Sequence, residues 1–123
     1  MIVTTSNERT TTMNDNQKAK AAEAAKINAE YATRKAIISR EDADNNWPGS
    51  ARQDLLEAQR YLAIAEAFAE AAGENSVSGE AAKLATISAA GWVYAAQRDC
   101  EACEKRALQK QAQEAIKQLQ EAE

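Results

Sequence analysis

Apolar and polar residues recur with a helical period over nearly the whole chain, and the only strand-like run is the short Ile2-Val3 pair. The first periodic segment starts at Asn14 or Asp15, either of which makes a good helix N-cap, and continues to about Arg40. Ala24, Ile27, Tyr31 and Ile38 share one of its faces and are expected to meet the core. Lys18, Glu23, Lys26 and Lys35 lie opposite and should be wet. The run Asp42 to Ser50 breaks the period, because Asn45-Asn46 favours a turn and Pro48-Gly49 disfavours helix. Ser50 then opens an S-x-x-Q capping-box pattern with Gln53, which starts a second helix over residues 50–72. Leu55, Leu62, Ala65, Ala69 and Ala72 form its stripe, flanked by Tyr61, Ile64 and Phe68, a face wide enough to touch two neighbours.

Gly73 is placed to end that helix, and Ser78 to cap a third one over residues 79–120, roughly 60 Å long at 1.5 Å per residue. Leu84, Ile87, Gly91 and Tyr94 form its expected core face, and the small residues Ala89, Ala90, Ala95 and Ala96 allow close backbone approach. Beyond Cys103 the apolar positions thin to Leu108, Ala112, Ala115, Ile116 and Leu119, spaced near a heptad. A lone helix with so thin a seam is marginal in water. The tail is therefore expected to pair with another chain, to pair with the first helix, or to fold back after a break near residues 98–106. These elements predict an all-α fold: a three-helix up-down-up bundle or hairpin with a long overhanging C-terminal helix, oligomeric in solution. Residues 1–13, rich in Thr and Ser and without a helical period, read as a flexible N-terminal arm. Residues 14–123 read as a single helical domain.

Composition changes this picture chiefly through alanine, which supplies 29 of the 123 residues, against 16 Leu, Ile and Val together. Alanine is the best helix former but buries little area, and burial is worth about 25 cal/mol per Å². Helices should form readily and pack closely while each contact stabilises little, so close packing or a second subunit is needed. Formal net charge is −4 and mean hydropathy is negative. That balance disfavours direct nucleic-acid binding, which depends on neutralising phosphates. Lys105, Arg106, Lys110 and Lys117 are interleaved with Glu101, Glu104 and Glu114, the pattern of a solvated helix rather than a nucleic-acid surface. No apolar run is long enough to span a membrane and no signal-peptide pattern is present, so no membrane association and a cytoplasmic location are expected.

Histidine is absent, which removes His-based triads, His metal ligands and imidazole acid–base chemistry. Cys100 and Cys103 lie three apart in a predicted helix among Asp99, Glu101 and Glu104, whose charges should raise the thiol pKa. One chain offers two thiols where a structural zinc needs four ligands, so buried reduced thiols are expected; an inter-subunit metal or disulfide, and redox chemistry, are alternatives. Asp42, Asp44 and Asn46 occupy the first three ligand positions of a calcium loop. The pattern then fails, with Trp47 in place of the turn Gly and Gln53 in place of the final Glu. Glu66 and Glu70, one turn apart, read as surface charge. No catalytic residue, cofactor or metal is expected.

Trp47-Pro48-Gly49, followed by Ser50-Ala51, resembles the W-x-G turn of the WXG-type secreted helical hairpins. The resemblance covers five residues and implies a small helical dimer exported by a specialised secretion system. The third helix departs from that pattern, as does the missing Tyr-x-x-x-acid signal, since Tyr94 is followed four residues later by Arg98.

The expected function is a non-enzymatic protein–protein interaction module. A small acidic inhibitor or immunity-type protein, of phage or mobile-element kind, that sequesters an enzyme or complex would fit. A structural or assembly component oligomerising through its long C-terminal helix is the first alternative, and a WXG-like secreted protein the second. Expected interaction residues are Trp47, Trp92 and Tyr94 as anchors. Residues 47–78 carry two basic and five acidic side chains, which adds an acidic face of Glu57, Glu66 and Glu70 on the second helix. Leu108, Ile116 and Leu119 are the expected self-association residues.

Overall fold

In the computed structural model, which describes residues 13–122, three α-helices follow one another and no strand occurs among the described residues. α1 spans Asp15–Asp44, α2 Pro48–Ala72 and α3 Val77–Ala122. At 1.5 Å per residue these are ~45, ~37 and ~69 Å long. The end of α1 meets the start of α2 through the Ser39 hydroxyl, which donates to Ala51 O at 2.7 Å. α3 returns beside α1, with Arg40 Nε donating to Asp99 Oδ2 at 2.8 Å, so the helices run up, down and up. Residues 1–12 of the expected arm lie outside the described residues. Met13 packs against Ala21, Ala22, Ala25, Ala72 and Ala82 at the base of the bundle.

The helix ends follow local chemistry. Asn14 and Gln17 form a reciprocal capping box, with Gln17 N–H donating to Asn14 Oδ1 at 2.8 Å and Asn14 N–H to Gln17 Oε1 at 3.0 Å. α1 ends at Asn45, and Asn46 takes the left-handed conformation (φ 60°) that Asn tolerates better than most residues. Arg106 of α3 reaches this end, its guanidinium donating to Asn46 Oδ1 and to Ala43 O at 3.2 Å each, so a side chain adds to the backbone bond that Asn46 N–H already makes to Ala43 O.

α2 begins two residues before the expected Ser50 cap. Trp47 is the N-cap residue, without a side-chain cap, and Pro48 occupies the first turn, where its missing N–H costs nothing. Gly73 ends α2 at φ 73°, as expected. At the start of α3 the cap is Ser76 rather than Ser78: Ser76 Oγ accepts from Gly79 N–H at 3.0 Å. Gly79 is required there, because a Cβ would stand 2.1 Å from Gly73 O.

The core faces differ from expectation on two of the three helices. In α1 the buried side chains include Ala22, Ala25, Ala29, Ala32, Ala36, Ser39 and Ala43, an unbroken 3-4 spacing. α3 has the same spacing, from Gly79 and Ala82 through Ala89, Val93 and Ala96 to Cys100 and Cys103. α2 does match its expected stripe: Leu55, Ala65 and Ala72 are buried, joined by Ala51 and Ala58, with Leu62 and Ala69 half-buried between them. These are three heptad seams facing one another, filled mostly by alanine and otherwise by small residues and Leu55. Leu55 is the largest fully buried side chain. By contrast, Ile27, Tyr31 and Ile38 of α1, and Leu84, Ile87, Gly91 and Tyr94 of α3, are exposed. Once alanine brings the backbones together at every seam position, a long side chain has no room between them, so the larger residues stand outside.

The tail also resolves. α3 is continuous through residues 98–106, which excludes a fold-back, and every residue from Leu108 to Ala122 is exposed, which excludes packing on α1. The last four turns project beyond the bundle with no partner among the described residues.

Candidate interaction surfaces

Each edge between neighbouring helices is closed by charge near the upper end of the bundle. Between α2 and α3, Arg52 grips Glu104 with two bonds, Nε to Oε2 at 2.9 Å and Nη2 to Oε1 at 2.5 Å. That bidentate contact holds Glu104 below and Arg52 above its ordinary pKa. Between α1 and α3, Arg40 pairs with Asp99 and also lies over the Trp92 ring, 5.6 Å from its centroid. Between α1 and α2, Lys35 Nζ stands 2.8 Å from Glu57 and 3.9 Å from Asp54. Its hydrogen bond with Glu57 raises the Lys35 pKa. Asp54 in turn faces Asp42, whose Oδ2 is buried without a partner unless Asp54 carries a proton. Burial first, and the neighbouring Asp42 second, push the Asp54 pKa up to about 6.

This arrangement redistributes the expected site residues. Trp92 lies on the α1/α3 edge with Arg40 over its ring and stays 39% exposed. Trp47 is exposed in the turn between α1 and α2, its N–H donating to Asp42 O at 2.9 Å. Tyr94 is free, 63% exposed on the outer side of α3. The expected acidic face of α2 splits in two, because Glu57 lies about half a helical turn around from Glu66. Glu57 joins Lys35 on the α1 side. Glu66 and Glu70 instead line an open depression of about 340 Å³ beside α3, together with Glu74 and Lys83, which pair with each other.

Asp42 and Asp44 are helical residues of α1, and among the described residues no group of three or more Cys, Asp and Glu side chains is gathered as a metal site would require. Cys100 and Cys103 are free thiols buried on the inner seam, in the core cluster shared with α1 and α2. Burial, the largest cause, raises the Cys100 pKa and keeps its reactive thiolate scarce.

Two apolar surfaces remain. The first straddles α1 and α2, where Tyr31 and Tyr61 stack with centroids 5.3 Å apart. Ile27 lies one turn from Tyr31, and Ile64 and Phe68 follow Tyr61 on the same face of α2. All of these but the half-buried Tyr61 are exposed, and Arg34 lies over the Tyr31 ring at 5.7 Å. Ile27 and Tyr31, expected in the core, instead stand on this exposed ridge. The 3-4 spacing of the alanines was the signal that excluded them.

The second surface is the outer stripe of α3, Leu84, Ile87, Gly91 and Tyr94, which continues at the same spacing to Leu108 and Leu119 in the overhang. Of the expected self-association residues, Leu108 and Leu119 fall on the stripe, while Ile116 flanks it. Among the described residues no helix is long and apolar enough to cross a membrane. Comparison of the chain with protein-family models, curated proteins and solved structures gives no match.

Proposed function

We propose that this protein is a non-enzymatic protein–protein interaction module. The observation that carries this reading is the inverted division of its side chains: alanine supplies most of the interior while most of the Ile, Leu, Tyr and Phe side chains stand on the outer faces. An apolar side chain left in water forgoes about 1.5–3 kcal/mol that burial would supply. A chain that leaves many of them in continuous stripes has surface suited to a partner. The absence of histidine and the burial of both thiols support binding rather than catalysis.

On this reading the α1/α2 ridge, with Tyr31, Ile64 and Phe68 as its large side chains, receives a protein partner, and occupying that partner's surface is the action. Sequestration of an enzyme or complex by a small acidic protein is the form that fits. The exposed overhang of α3 favours a second, compatible reading, an assembly component that oligomerises through this helix.

Site-specific photo-crosslinking tests the ridge. A photoreactive residue at Phe68 is expected to capture one discrete partner in the native host, and Ile64→Glu to abolish that capture while helix content stays unchanged. Equal capture from Phe68 and from Asn75 in the α2–α3 loop would refute a specific ridge.

A further inference from the structure

The outer face of α3 carries a second heptad seam. From Leu84 onward, positions 84, 87, 91, 94, 98, 101, 105, 108, 112, 115, 119 and 122 alternate spacings of three and four, and every one is exposed. This is the spacing of the alanine seam on the inner face, rotated to the opposite side of the helix, and a sustained 3.5-residue period is the pattern by which helices pair in a left-handed supercoil. One difference sets the outer seam apart: it is apolar toward both ends and charged in the middle, at Arg98, Glu101 and Lys105.

We infer that a second copy of this chain docks antiparallel along this seam, with Arg98 of one copy opposite the partner's Glu101. Orientation follows from charge. A parallel, in-register pair would set Arg98 against Arg98, Glu101 against Glu101 and Lys105 against Lys105, three like-charge layers in a row. Antiparallel pairing with Arg98 opposite the partner's Glu101 turns the same residues into two opposite-charge contacts related by a two-fold axis.

Steric fit follows from the same register without further adjustment. Layers then join residues whose numbers sum to 199, so Leu84 faces the partner's Ala115, Ile87 the partner's Ala112, and Leu108 the partner's Gly91. Leu84, Ile87 and Leu108 each meet a small residue, the alternation by which close-packed layers interdigitate, while Leu119 faces the partner's Glu80 at the end of the contact. Gly91 has open space around its Cβ position, which leaves room for a leucine. Tyr94 faces the partner's Lys105, whose aliphatic stem and ammonium both suit an aromatic face. The axis falls between Asp99 and Cys100, midway along α3, so each exposed overhang lies along the first half of the other copy's α3.

The inference rests on reading the outer faces as interfaces, but it stands or falls apart from the α1/α2 ridge. Its test uses the full chain in sedimentation equilibrium, with cysteine crosslinking to fix orientation. The wild type is expected to show a concentration-dependent dimer. Arg98→Glu should raise the dissociation constant by about tenfold or more, as should Glu101→Arg, by placing like charges opposite each other. Mixing these two variants should restore dimers near wild-type strength.

In mild oxidation, Gly91→Cys mixed with Leu108→Cys should give a mixed disulfide, while Gly91→Cys alone should give none. The native thiols stay silent because they are buried. A monomer at all concentrations, an unchanged dissociation constant in Arg98→Glu, or self-crosslinking of Gly91→Cys would each overturn the proposal. None of those results would touch partner capture from Phe68.

Discussion

The inner and outer seams of α3 share one helix and one period, yet their contents are reversed. Inside stand Ala82, Ala89 and Ala96; outside stand Leu84, Ile87 and Tyr94, the last 63% exposed. The contrast teaches that burial here is decided by continuity of the seam rather than by the size of single residues. Every inner position from Gly79 to Cys103 is small enough to fit between close helices, whereas the outer seam is interrupted by Arg98, Glu101 and Lys105. A seam with charge at its centre cannot face a core of alanine, where no counter-charge waits.

The sharpest way to break the comparison is at Leu55, the largest side chain fully enclosed by the alanine seams among the described residues. Leu55→Ala is expected to cost about 2–5 kcal/mol in urea unfolding, because little else in this interior can collapse into the gap. A loss under about 1 kcal/mol would mean that the interior is looser than the seams imply.

A reciprocal exchange comes next. Ala32→Leu, on the inner seam of α1, should destabilise by about 1–3 kcal/mol through overpacking. Leu84→Ala, on the outer seam of α3, should change the stability of the dilute monomer by no more than about 0.5 kcal/mol. Equal effects from the two substitutions would erase the distinction between the faces.

A smaller effect separates the edges from the seams. The folded Asp54 carboxyl keeps its proton up to about pH 6, whereas an ordinary aspartate loses it near 4. Between those values the native state binds more protons than the unfolded chain, so stability is higher at the acid end and falls as pH rises through about 6. Asp54→Asn should remove that slope and gain about 1 kcal/mol at pH 7, since an amide can donate to Asp42 at any pH. Denaturant midpoints from pH 4 to 7 measure it, and a wild-type stability that rises over this range would contradict the pairing.

Much of the fold was legible in the residues. The Asn14 cap, the turn before Pro48 and the stop at Gly73 are local signals, and local signals set helix ends with little help from the rest of the molecule. The α2 stripe was legible too, because Leu55 and Leu62 mark the same face as its alanines. On α1 and α3 the large apolar residues mark one face and the alanines another, and reading by size chose the wrong one. Of the expected site residues, Tyr94, Leu108 and Leu119 proved to share one stripe. Trp92 and Glu57 stand instead at helix edges, where Arg40 lies over the ring of one and Lys35 pairs with the other.

Sequence by itself determined that this chain is helical, where its helices start and stop to within about four residues, and that it lacks histidine chemistry. Those properties follow from backbone propensity, capping and composition, each of which acts within a few residues. Tertiary structure alone decided which of two equally periodic faces turned inward. That choice is collective: three alanine seams fit one another at close range, and no single helix could disclose what its neighbours would bring.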